Sequence, residues 1–114
     1  MGLARFVGFY SESKGGSGSI EMTRQFLIEE ATECLMAQLE AREPSLQCSG
    51  ADGVAILAIN HKAELGRLGV IDSIARLLRS DGVSTTTCYR LLRALLNLSC
   101  SRDNQVLLQL YYKS

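Results

Sequence analysis

Apolar positions recur at threes and fours from residue 20 almost to the end of the chain, interrupted only at a few Gly, Pro, Ser and Asp positions. Ile20, Phe26, Leu27, Ala31, Cys34, Leu35 and Leu39 trace a stripe that predicts helix up to Arg42, capped by Ser19 and broken into two near Glu29. Glu43-Pro44 ends it, because a residue before proline resists the helical region and proline suits the first turn of a new helix. The next helix is expected over Ser45 to Asn60, with Leu46, Val54, Ile56, Leu57 and Ile59 apolar. Gly50 and Gly53 each weaken it by about 1 kcal/mol relative to alanine if exposed, or else admit a neighbouring helix at close range. A short helix over His61–Leu68 stops at Gly69, and Val70–Arg79 forms another with Ile71, Ile74, Leu77 and Leu78 inward. After the turn Ser80-Asp81-Gly82, the longest uninterrupted helical pattern runs from Ser84 to about Leu98, and Arg102–Tyr112 closes the series. The expected class is all-α: a flexible N-terminal arm over residues 1–19, where SESKGGSGS has linker composition, followed by a helical domain over 20–114.

The helix from Ser84 divides into two faces. Cys88, Leu91, Leu92, Leu95 and Leu98 take the arc expected to be buried, and Arg90, Arg93 and Asn97 share the opposite stripe. That stripe is the candidate partner-binding surface. The alternative is a solvated face on which Asn97 ties the following turn through its side chain.

A shift of 39 residues lays Ala55–Asn60 (AILAIN) on Ala94–Ser99 (ALLNLS), and places Leu35 on Ile74 and Leu39 on Leu78. A helical unit recurring at about 40 residues marks a solenoid whose units bury their apolar faces only against neighbours. The block GVIDSIARLL (69–78), a short loop, LLRALLNLS (91–99) and then Asn104 resemble the armadillo repeat. The likeness covers residues 61–112 well and 20–60 less so, since Glu30 stands in the glycine position and Ala58 in the asparagine position. It implies a short right-handed α-solenoid of two to two-and-a-half repeats, with third helices lining a concave groove. It also implies that Asn97 matches the asparagine that hydrogen-bonds an extended peptide. Arg93 replaces the tryptophan of peptide-receiving members, so a basic import signal is not expected and any bound segment should be acidic.

Composition narrows the function. With 114 residues, one proline and no tryptophan, the chain is a single domain at most. The net charge is zero, but residues 1–60 hold four basic against eight acidic side chains, and residues 61–114 hold eight against four. Such an acidic end and basic end favour head-to-tail docking in an assembly. Cys34, Cys48, Cys88 and Cys100 have no metal-site spacing and are expected to be buried, reduced thiols. No phosphate-cradling loop, nucleophile motif or zinc spacing is present, and no cofactor is expected. Neutral charge without interleaved aromatics argues against nucleic acid. No apolar run is long enough to span a bilayer, and the default location is intracellular, cytoplasmic. The expectation is a non-catalytic protein–protein interaction scaffold, a small subunit whose C-terminal apolar surface (Leu107, Leu110, Tyr111) is covered by another protein. A peptide-binding adaptor using Arg90, Arg93 and Asn97, and a thiol-based regulatory protein using Cys88 or Cys100, are the alternatives.

Overall fold

The computed structural model describes the backbone of residues 17–112 and the side chains of residues 20–110. Five helices follow one another: α1 (Ser17–Glu40), α2 (Pro44–Arg67), α3 (Val70–Arg79), α4 (Thr85–Leu98) and α5 (Arg102–Tyr112). No strand occurs among the described residues, so the all-α class stands. Of the expected arm, residues 1–16 lie outside the described residues, and Ser17–Ser19 already belong to α1. The side chain of Tyr111 also lies outside them.

Local chemistry explains where the helices start and stop. Pro44 opens α2, where its missing N–H has no helical partner to lose. Gln47 donates from Nε2 to the Ala41 carbonyl just past the end of α1, at 2.9 Å. The expected break near Glu29 does not occur, and α1 is continuous. The expected boundary at residue 61 is real: His61 leaves helical geometry (φ −133°, ψ 33°) and kinks α2 between its long and short parts. Gly69 takes φ +95°, which a side chain would resist, and so turns the chain directly from α2 into α3. Ser84 caps α4 by accepting the Thr87 N–H at 3.1 Å.

Helix α2 is the centre of the packing. Its long part lies between α1 and α4, while α3 and α5 pack on its end and on each other. A helix covered on two sides needs small residues on both, and Gly50, Ala51, Ala55 and Ala58 supply them beside Val54. A Cβ on Gly50 would stand 3.0 Å from the Leu35 carbonyl oxygen, and one on Gly53 would stand 2.4 Å from Leu35 Cδ2. Both glycines therefore serve close approach of α1. Leu39, Leu65, Val70, Ile71, Ile74, Leu91, Ala94 and Leu98 complete the core.

Several expected faces are corrected. In α1 the buried line is Ile28, Thr32 and Leu39, with Leu35 and Met36 partly covered, whereas Ile20, Leu27, Ala31 and Cys34 are exposed. Two apolar stripes share that helix, and α2 and α3 cover only one. In α2 the large residues Leu46, Ile56 and Ile59 face outward, because the sandwiched side has room only for small ones. In α4 Leu92 is exposed, and Thr87 and Ala94 are buried in the arc with Leu91 and Leu98. The thiols are not buried either: Cys34 and Cys100 are exposed, Cys48 and Cys88 half-buried, and all four are unpaired with one another. The slab measures 47 × 31 × 20 Å, its thinnest dimension being about two helix diameters.

Candidate functional site

The seam between α2 and α4 gathers the residues of the candidate stripe. Arg90 and Arg93 stand one turn apart on α4, and both reach the same carboxylate, Asp52 on α2. Arg90 Nη1 donates to Asp52 Oδ2, and Arg93 Nη2 donates to Oδ1 at 3.3 Å. One carboxylate thus serves two guanidiniums, and the cluster keeps an excess positive charge. Its side chains are 28% (Asp52), 41% (Arg90) and 51% (Arg93) exposed, so solvent screens the attraction and further N–H donors face outward.

One turn further along, Asn97 Nδ2 donates 2.9 Å to the Ala55 carbonyl of α2. The side chain therefore bridges two helices and does not tie the turn that follows it. At the other end of the seam, Cys48 Sγ lies 3.4 Å from Thr87 Oγ1, which accepts from Ser84 Oγ at 2.9 Å. The structure thus brings Arg90, Arg93 and Asn97 onto one stripe, and gives each a partner within the chain.

Several large apolar side chains are exposed outside the seam. Ile56 (67% exposed) and Ile59 (60%) lie on α2, and Tyr89 (67%) and Leu96 (68%) on α4. On the far side of α4, Ala75, Leu78, Leu92, Leu95, Leu96 and Leu108 line an open groove of about 450 Å³ between α3, α4 and α5, with Arg79 at its edge. Leu110, from the expected C-terminal surface, is exposed, while Leu107 is half-buried against the core. Val106 is exposed at 60% beside them.

A polar lock sits under the kink of α2. Asn104 is fully buried, and its Nδ2 donates to the carbonyls of Lys62 (2.7 Å) and Leu98 (2.9 Å). It thereby joins α5 to both α2 and α4. Gly66 faces it so closely that a Cβ there would fall 1.8 Å from Asn104 Oδ1.

The sequence reading missed Asp52 and the exposed isoleucines. A signal for Asp52 existed: it precedes Arg90 and Arg93 by 38 and 41 residues, close to the repeat length, which is where a charge on the adjoining helix should stand. His61 Nδ1 lies 3.2 Å from Glu64 Oε1, a local contact at the kink. Among the described residues no group of three or more His, Cys, Asp or Glu side chains is placed to hold a metal ion. No described helix is long and apolar enough to cross a membrane. Comparison of the chain with protein-family models, with curated proteins and with solved structures gave no match.

Proposed function

We propose that the chain is a non-catalytic interaction scaffold built of armadillo-like repeats, and that it works as a small subunit of a larger protein assembly. The observation that carries this reading is the apolar groove between α3, α4 and α5, continuous with the exposed side chains of Leu92 and Leu96. Large apolar side chains gathered around a groove mark a surface that gains free energy when another protein covers it. The repeat reading has separate support in the long-range side-chain bonds. Arg90 to Asp52, Cys48 to Thr87, Asn97 to Ala55 and Asn104 to Lys62 span 38, 39, 42 and 42 residues, each close to one repeat.

An acidic segment bound along Arg90, Arg93 and Asn97 is the second reading. Asp52 already neutralises part of that stripe, and Asn97 is engaged with Ala55. The remaining positive charge, with Ile56 and Ile59 exposed on the same helix as Asp52, suits a segment that combines one or two carboxylates with apolar residues. The thiol reading has less support: among the described residues no cationic side chain bonds the Cys88 thiol, and Cys100 Sγ donates to the Leu96 carbonyl at 3.7 Å.

The test is native affinity purification of the wild-type chain beside Leu92→Glu/Leu96→Glu and Arg93→Glu. Scaffold function through the groove predicts stoichiometric partners that the double variant loses and Arg93→Glu keeps. The acidic-segment reading predicts the reverse. Equal recovery with all three proteins would refute both.

A further inference from the structure

Helix α1 carries a second apolar stripe, Ile20, Leu27, Ala31 and Cys34, which nothing among the described residues covers: Ile20 is 62% and Leu27 46% exposed. Its counterpart within the chain is covered. The 39-residue shift places Ala31 on Val70 and Cys34 on Ser73 of α3, which are 0% and 3% exposed in the core built with α1 and α2. At Ala31 and Cys34 the stripe on α1 is thus the same kind of packing face, left open by the described residues. At the other end of the molecule, the groove of α3, α4 and α5 presents a largely apolar lining.

The two surfaces also differ in charge. From Glu21 to Glu40, α1 has five glutamates and one arginine, and Glu30, three residues after Leu27 and four before Cys34, flanks the stripe. From Val70 to Tyr112 the chain has five arginines against three aspartates, with Arg79 on the groove's edge. Apolar face matches apolar face, and an acidic helix meets a basic half of the chain.

We propose that these two surfaces bind each other between copies: the outer stripe of α1 in one copy seats in the α3–α4–α5 groove of the next, head to tail. The arrangement repeats between molecules the packing that α3 has on α1 and α2 within one. It rests on the repeat reading given above. Such an interface is heterologous, so each copy keeps one free stripe and one free groove, and association continues into open chains or closed rings.

Sedimentation equilibrium on the full-length chain tests this with two surface variants, Leu27→Glu in the stripe and Leu96→Glu in the groove. Wild type should raise its weight-average mass about two-fold or more between roughly 10 and 300 µM at low salt. Each variant alone should remain monomeric with unchanged helicity. An equimolar mixture should form a closed one-to-one dimer, because the Leu96→Glu copy retains its stripe and the Leu27→Glu copy retains its groove. A monomeric wild type overturns the proposal, as does a mixture that fails to pair. In either case foreign partners lost with the Leu92→Glu/Leu96→Glu protein would leave the scaffold reading standing, so the two failures are distinguishable.

Discussion

Asn104 and Gly66 show how single residues hold this fold. One buried amide donates to carbonyls on two different helices, and the glycine opposite leaves room for it. Asn104→Ala should cost about 1–3 kcal/mol, since it removes two inter-helix hydrogen bonds. Gly66→Ala should cost about 1–3 kcal/mol through overpacking. Chemical denaturation of both single variants and the double variant checks this: removing the amide relieves the clash, so the double variant should be more stable than the sum of the two losses implies. Leu91 and Leu92 make a second contrast. Both fall on the arc that spacing alone assigns to the core, yet Leu91 is fully buried and Leu92 is 53% exposed. Leu91→Ala should lose about 2–5 kcal/mol, while Leu92→Ala should stay within about 0.5 kcal/mol by the same measurement. Periodicity gives the direction of a face to within about a residue. It cannot say how much of that face a short chain has partners to cover.

At the scale of the element, the helices themselves were legible: the stop at Gly69, the start near Ser84 and the interruption at His61 follow from local chemistry, although the two helices expected over 45–68 are one kinked helix. Which face each helix buries was less legible, and α2 shows why. Its large residues read as core, but a helix covered on two sides buries its glycine and alanines and turns Ile56 and Ile59 out. Ala58→Leu should therefore destabilise by about 1–3 kcal/mol, and Ile59→Ala should leave stability within about 0.5 kcal/mol, as read by thermal melts. The candidate stripe was half legible. The spacing grouped Arg90, Arg93 and Asn97 correctly, but their partners on α2 belong to tertiary structure, and only the repeat length pointed to Asp52. Because these ion pairs are partly exposed, Asp52→Asn should change stability by no more than about 1 kcal/mol, and added salt should shrink even that difference.

At the scale of the whole molecule, the slab has apolar surfaces at both ends of its series of helices, the α1 stripe and the α3–α4–α5 groove. Side-chain bonds join the helices across 38 to 42 residues, and among the described residues no helix covers either surface. A scaffold whose units are completed by adjoining protein accounts for both ends at once. The most direct measurement places a photo-activated cross-linking amino acid at position 96, in the groove, and at exposed, polar position 45 as a control, in the full chain within cells. The account predicts discrete covalent adducts from position 96, to a second copy or to another protein, and none of comparable yield from position 45. Irradiation that yields no more adduct from 96 than from 45 would contradict it.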